Sequence, residues 1–381
     1  MSDANKNARE MARIAMIGMR GLPADLPKAA GGERETEAKA VRLAQRGHEM
    51  TVYCRWHYNR HPISPYQGVH LVSLPSVPTK NLDTLSHTLL ATLHVIVRNT
   101  ADIISYHGMG NAFFAPLVKL SGKKSVVYMD GVDWERPKWG GVARIMLKIA
   151  ANLAFRMADV IYVDNRVSQR IFSKLFGREP LVITLGADLW AQTGCDMLSD
   201  FELELEKYIL FVGMLKPDKG VHLLIEAYNG LETAMPLVIV GDGPDEPKYV
   251  RSLKEMANEN VRFLGFVYGR AVRQLFANCY VYVQPSVMEG NSPALMSAMA
   301  CGRCVIVNGI DQNIETVDDA GVVFSPNDVV SLREALVALM QDPTRVRVLG
   351  HKAQQRIRQV YNWEVVVDQL EQMYTKLADS R

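Results

Sequence analysis

The sequence predicts an α/β protein made of two doubly wound, parallel-sheet domains. Short β-branched runs alternate with helical patterns along most of the chain, the signature of parallel strands joined by helical crossovers. At 381 residues the chain exceeds what one hydrophobic core usually accommodates, so two domains are expected. The alternation breaks once, over 192–206, where acidic residues without periodicity read as a linker.

RIAMIG (13–18) reads as the first strand. After a Gly/Pro-rich loop, 33–46 places Ala38, Val41, Leu43 and Ala44 for one helical face, and Gly47 closes the helix. EMTVYCR is the second strand, and DIISYHG, KSVVYMDG and DVIYVDN are three more, each following a helix-like segment and ending in polar or glycine residues. Beyond the linker, YILFVG, PLVIVGDG, VRFLGFV, CYVYVQPS and CVIVNG repeat the pattern. In NWEVVVDQLEQMYTKLADSR, Val365, Val366, Leu370, Met373, Tyr374 and Leu377 fall near helical spacing, as in a closing helix that crosses back to the first domain. The expected domains are therefore 11–190 together with 363–381, and 206–362. Ligands of such sheets bind at the carboxyl ends of the strands.

A formal net charge of +2 gives no bulk attraction for nucleic acid, and no nucleic-acid partner is expected. Basic residues do gather over 136–156, where Arg136, Lys138, Arg144, Lys148 and Arg156, with only Glu135 nearby as an acid, interleave with Trp134, Trp139, Ile145, Met146, Leu147, Ile149, Leu153 and Phe155. Such a helix either lies on an anionic membrane or is an ordinary surface helix with its apolar stripe in the core. Five cysteines without a pairing pattern fit reduced thiols and a cytoplasmic setting. Cys301 and Cys304 form a lone CxxC, and His57 and His61 precede prolines, so neither pair argues for a metal. MSDANKNARE is polar, unlike a signal peptide or anchor, and reads as a mobile tail. The most apolar stretches are broken by His94, Lys148 and Asn152 and fall short of the ~20 residues a spanning helix requires.

Four strand-end loops suit a phosphorylated ligand. In GMRGLPADLPKAAGGER the glycines, Gly31 and Gly32 among them, allow close backbone approach and a helix start follows; a plain flexible loop is the other reading. FVGMLKPDKG sets Lys219 at a helix start, where it either neutralises charge on a departing diphosphate or is a solvated turn lysine. VIVGDGP, with Gly241, Asp242 and Gly243, reads as a structural turn. In EGNSPALMSAMACG, Glu289 either accepts hydrogen bonds from sugar hydroxyls or caps the helix opening at Pro293.

PSVMEGNSPALMSAMACGRCVIV resembles the signature of family 4 glycosyltransferases of the GT-B fold. AGGERETEAKAVRLAQRGHEMTVYCR, FVGMLKPDKG, VIVGDGP and NWEVVVDQL extend the likeness over nearly the whole chain. MRGLPA and DGVDWERPKWG are most similar to bacterial transferases of surface-polysaccharide assembly, rhamnosyltransferase-like members included. The resemblance implies two Rossmann-like domains facing across a cleft. It also implies retaining transfer, without a required metal or other cofactor, from a UDP-, GDP- or dTDP-linked sugar to a glycan or lipid-linked acceptor at the inner face of the membrane.

The site residues it implies are Gly31 and Gly32 near the donor phosphates, Gly213 and Lys219 on the diphosphate, and Glu289 on the donor sugar. Gly290, Asn291, Ser292 and Pro293 would offer backbone around sugar and phosphate. Asp130 stands where many relatives have a histidine near the reacting carbon, and would orient an acceptor hydroxyl or stabilise positive charge on the sugar.

Two departures stand out. Met214 replaces the arginine that would share the diphosphate, with Arg20, Arg34, Arg270 and Arg303 as candidates to supply the charge. Ser297 replaces the glutamate that holds the ribose, so Glu315 or a water is a candidate to reach it. These departures leave open a degenerate member that binds a glycan or a partner without catalysing transfer. A third reading, a sugar-nucleotide epimerase, would need proton-abstracting groups, for which His107 is the evident candidate.

Overall fold

The computed structural model describes residues 11–24, 31–79, 82–135, 139–189 and 194–380. The chain divides into two compact units, Met1–Thr184 with Val366–Arg381, and Leu185–Val365. The N-terminal stretch 1–10 and, in the basic segment, Arg136 and Lys138 lie outside the described residues.

The first unit runs β1 (Arg13–Ile17), α1 (Gly31–Gln45), β2 (Glu49–Arg55), β3 (His70–Leu74), α2 (Asp83–Arg98) and β4 (Ile103–His107). It continues through α3 (Ala115–Leu120), β5 (Lys124–Met129), α4 (Gly141–Met157), β6 (Val160–Val163), α5 (Arg166–Phe176) and β7 (Leu181–Val182). These strands pair in parallel in the order β3-β2-β1-β4-β5-β6-β7. The order reverses between β1 and β4, in register Ile14 to Ile103, so the loops after these two strands diverge and leave room for a ligand. The sequence reading lacks β3 and β7, and both are edge strands. β3 is mostly half-buried and so has no continuous apolar run, while β7 has two residues.

Three histidines are buried in this unit, His48, His87 and His107. His87 on α2 donates from Nε2 to the main-chain oxygen of Cys54 (3.1 Å), and burial, aided by the Arg55 charge, pushes its pKa down to about 4. His107 ends β4, and burial together with the Lys39 charge pushes it down to about 3. Both shifts are downward, so the stability they carry is complete above the ordinary histidine value and is lost as pH falls below it. We expect unfolding of this unit to lose about 1.4 kcal/mol per pH unit per histidine from pH ~6.5 downward. Urea titrations at a series of pH values check this, and the His87→Gln, His107→Asn double variant flattens the slope if these two groups cause it.

The second unit begins with β8 (Ile209–Val212), α6 (Val221–Asn229), β9 (Leu237–Val240), α7 (Pro247–Met256), β10 (Val261–Gly265) and α8 (Gly269–Asn278). Next come β11 (Val281–Gln284), α9 (Pro293–Ala300), β12 (Cys304–Asn308), α10 (Asp311–Val317), β13 (Val322–Phe324), α11 (Val329–Gln341) and α12 (Pro343–Val360). Its parallel order is β10-β9-β8-β11-β12-β13, reversing between β8 and β11. β13, absent from the sequence reading, is a three-residue edge strand. The last helix, α13 (Trp363–Asp379), belongs to the first unit from Val366 onward. Tyr374 on it is fully buried and donates to Ser105 Oγ on β4 (3.0 Å), and Arg46 after α1 pairs with Asp368 (2.5 Å) and Glu371 (2.9 Å).

Candidate active site

In the second unit the loops after β8 and β11 leave the sheet on either side of its switch point, where doubly wound sheets bind ligands. The β8 loop ends in a short turn, Pro217–Lys219, and then Gly220 at φ +65°. A Cβ on Gly220 would lie 2.1 Å from the carbonyl oxygen of Pro285, so only glycine lets this turn lie on the end of β11. The Val287 N–H donates to the Asp218 carbonyl (2.9 Å) and ties the two loops together.

That approach brings Lys219 to Glu289. Lys219 Nζ donates to Glu289 Oε1 at 2.6 Å, Gln284 Nε2 at 2.8 Å and Ser286 Oγ at 2.9 Å. All three donors meet Oε1, while Oε2 accepts nothing from the described residues. Glu289 does not cap α9. Ser292 does, its Oγ accepting from the Leu295 N–H, which removes the capping reading. Gln284 is itself held by Tyr282 OH (2.5 Å) and Ser292 Oγ (3.3 Å), both donating to its Oε1. Asn308 at the end of β12 donates to the Ser286 carbonyl (3.2 Å) and to Asn327 Oδ1 (2.8 Å), fixing the loop from below.

The other candidates of this unit lie on the same edge of the sheet. Gly213 follows β8, and its carbonyl would be 1.9 Å from a Cβ on Gly241, which sits at φ +131° after β9; the VIVGDGP turn is thus the structural contact expected of it. Gly290, Asn291 and Ser292 precede α9, the last two buried, and Pro293 is its first residue. Ser297 is half-buried in the second turn of α9. Glu315 is on α10, where its main-chain oxygen accepts from Arg356 Nη2 (2.7 Å).

Two arginine candidates are committed elsewhere. Arg303 immediately precedes β12, at the opposite edge of the sheet from Glu289, and pairs with Glu206 (2.6 Å). Arg270 pairs with Asp196 (2.6 Å). Met214 therefore gains no substitute from either. Cys301 and Cys304 have thiols pushed up to about 12 by burial, so they pack as small apolar residues.

In the first unit Gly31 and Gly32 open α1, and Asp130 directly follows β5. Beneath them lies a buried polar cluster that sequence reasoning missed. Lys39 is fully buried and pairs with Glu35 one turn earlier on α1. Its ammonium sits 4.3 Å from the ring centroid of Tyr128 and 5.3 Å from that of Tyr162, two rings stacked 4.9 Å apart. Burial pushes the Glu35 carboxyl up, Lys39 pulls it back, and the Asp130 charge pushes it up again. The available signal was Lys39 itself, standing at a core-stripe position between Thr36, Ala40 and Leu43, all buried. His107, the candidate base of the epimerase reading, is buried against Thr36 and Ser105 with its pKa near about 3, too weak a base for proton abstraction.

Comparison with known proteins fits this architecture. Residues 29–189 match the family model described as Glycosyltransferase Family 4, and 206–342 the one described as Glycosyl transferases group 1. Over 303 residues the chain is 30% identical to the GDP-mannose-dependent monoacylated alpha-(1-6)-phosphatidylinositol monomannoside mannosyltransferase of Corynebacterium glutamicum, covering 71% of this chain and 77% of that one. The chain belongs to glycosyltransferase family 4. Another relative, O-antigen chain mannosyltransferase B of Escherichia coli, is 29% identical over 174 residues, 44% of this chain. The match spans about half of that relative's length, 45%. Among solved structures, sucrose-phosphate synthase from Thermosynechococcus elongatus superposes with a TM-score of 0.85 at 19% identity, covering 97% of this chain and 99% of that one. The fold class of this family 4 chain is GT-B, as its sequence implied.

Proposed function

We propose that this family 4 protein is an active, retaining glycosyltransferase that needs no metal. It moves a sugar from a nucleotide sugar to a glycan or lipid-linked acceptor in surface-polysaccharide assembly, in the cytoplasm at the inner face of the membrane. The observation that carries the reading is the meeting of Lys219 and Glu289 at the ends of β8 and β11. There the ammonium meets the charge that grows on a departing diphosphate, and the free Oε2 of Glu289 accepts from donor-sugar hydroxyls. Gly213 and the amides of Gly290, Asn291 and Ser292 take the phosphates and sugar, Ser297 the ribose side, and Gly31 and Gly32 the phosphates from the first unit. Asp130 is assigned to the acceptor hydroxyl or to positive charge on the reacting sugar. A GDP-mannose-dependent relative and an O-antigen relative support a nucleotide-sugar donor and a polymer or lipid acceptor.

The experiment is a thermal-shift screen with UDP, GDP, ADP and dTDP, followed by donor hydrolysis and transfer assays with the matching sugars. One diphosphate is expected to raise the midpoint, since ligand at 100 times its Kd adds about 2.7 kcal/mol to stability. No shift and no turnover with any of these donors defeats the proposal. Met214 and Ser297 favour a second reading, a catalytically degenerate glycan- or partner-binding module. It gains if Met214→Arg with Ser297→Glu confers nucleotide binding that the natural protein lacks.

A further inference from the structure

Helix α4 has two apolar stripes where a surface helix ordinarily has one. Leu147, Ala150, Ala151 and Ala154 are buried in the core of the first unit. Val142, Ile145, Met146 and Ile149, spaced as a second helical stripe, are 76%, 61%, 37% and 46% exposed. Helix α2 repeats the arrangement. His87, Thr88, Ala91, Thr92 and Val95 are buried, while Leu90, Leu93 and Val97 are 41%, 40% and 77% exposed.

The two helices share one face of the sheet. The connections β3 to β4, β4 to β5 and β5 to β6 all step in the same direction across the strand order, so right-handed crossovers put α2, α3 and α4 on the same side. Ala91 and Val95 of α2 and Leu147 and Ala151 of α4 accordingly meet in one core cluster. Between them α3 ends in Lys119 and in Leu120, which is 84% exposed.

The charge on this face is predominantly basic, with Glu135 in the turn before α4 and Asp83 on α2 as its nearby acids. No residue of α4 is acidic, and Arg144 and Lys148 stand exposed beside the apolar stripe with no ion pair among the described residues. Arg98 and Lys119 extend the basic character to α2 and α3. The acid of α2, Asp83, is committed to Arg55 at 2.6 Å. Exposed aliphatic side chains flanked by unpaired cations complement one surface, an anionic lipid bilayer, into which an interfacial helix sinks its apolar stripe while its cations meet the headgroups. No helix among the described residues is long and apolar enough to cross a membrane, so the contact would lie along the surface.

We propose that the α2–α3–α4 face docks this protein on an anionic membrane surface, with α4 as the principal contact. The inference deepens the proposed function, from which it takes its purpose of reaching a lipid-borne acceptor, but its readout needs no turnover. Purified full-length protein is sedimented with vesicles of phosphatidylethanolamine and phosphatidylglycerol, and with vesicles of phosphatidylcholine alone. Binding is expected to the first, weakening as salt rises, and to be at least about tenfold weaker to the second. Ile145→Glu with Ile149→Glu is expected to weaken binding by at least about tenfold, and Arg144→Glu with Lys148→Glu comparably, since each lost cation removes about fivefold and each new acid repels. Circular dichroism and the nucleotide-induced midpoint shift verify that the variants fold.

Absence of binding to the anionic vesicles overturns the inference, and so does binding that the α4 variants leave unchanged. A concentration-dependent dimer that the Ile145→Glu, Ile149→Glu variant dissolves also overturns it, by assigning the face to a second copy of this chain. Vesicle binding without turnover of any donor would defeat the transferase reading and leave the docking surface standing.

Discussion

Replacing Lys219 by methionine is expected to lower kcat for sugar transfer by roughly a hundred- to a thousandfold, about 3–4 kcal/mol of transition-state stabilisation. When the bond from sugar to diphosphate breaks, negative charge grows on the leaving oxygen. Lys219 stands where α6 begins, and its ammonium is placed by its bond to Glu289 and by the turn that Gly220 permits. Met214 contributes no charge in the same loop, while Arg303 and Arg270 are paired elsewhere. Neither of these arginines therefore offsets the loss. Lys219→Arg keeps a cation and should fall between the two, and KM for the donor should change far less than kcat, because the interaction strengthens as charge develops. Folding is not at stake, since Glu289 keeps Gln284 and Ser286 as donors. The measurement is single-turnover kinetics on folded variant with the donor found in the nucleotide screen. A methionine variant that keeps kcat within tenfold places the ammonium away from the developing charge.

The legible parts of this chain are those in which one short segment carries its whole meaning. RIAMI, ILFV, LVIV and VYVQ are central strands buried on both faces, so each is a run of apolar residues that cannot be mistaken for a helix of useful length. The edge strands β3, β7 and β13 are short or partly exposed and carry no such run. Lys219 and Glu289 were visible because each follows a strand and precedes a helix, a context one segment displays. Gln284, Ser286 and Asn308, which hold the carboxylate and its loop, act across strands that only the crossovers bring together. The second stripe of α4 was ambiguous for another reason. A helix apolar on both sides reads alike whichever side the core takes, and the sequence alone does not tell which residues stay outside.

Lys39→Met is expected to destabilise the first unit by about 3–5 kcal/mol near pH 8, the cost of leaving one member of a buried ion pair uncompensated. Lys39 is fully buried and Glu35 nearly so, and the ammonium also loses its place over the Tyr128 and Tyr162 rings. The pH dependence separates this cause from lost packing. Burial already raises the Glu35 carboxyl, and Asp130 raises it further, while Lys39 is the main group that pulls it down and a hydrogen bond from Tyr128 a lesser one. Without Lys39 the folded state holds the Glu35 proton more tightly than the unfolded chain does. A raised carboxyl favours folding at low pH, and that advantage is lost as pH rises through the folded value, so the deficit of Lys39→Met should shrink toward pH 5 and widen toward pH 8. Adding Glu35→Gln removes the unpaired charge and should recover much of the loss, making the double variant more stable than the single one at pH 8. Urea titrations of the four proteins in this cycle at pH 5 and pH 8 provide the test. Equal stability of the single and double variants, with no dependence on pH, would show that Glu35 is not held as a buried charge and that Lys39 serves only as packing.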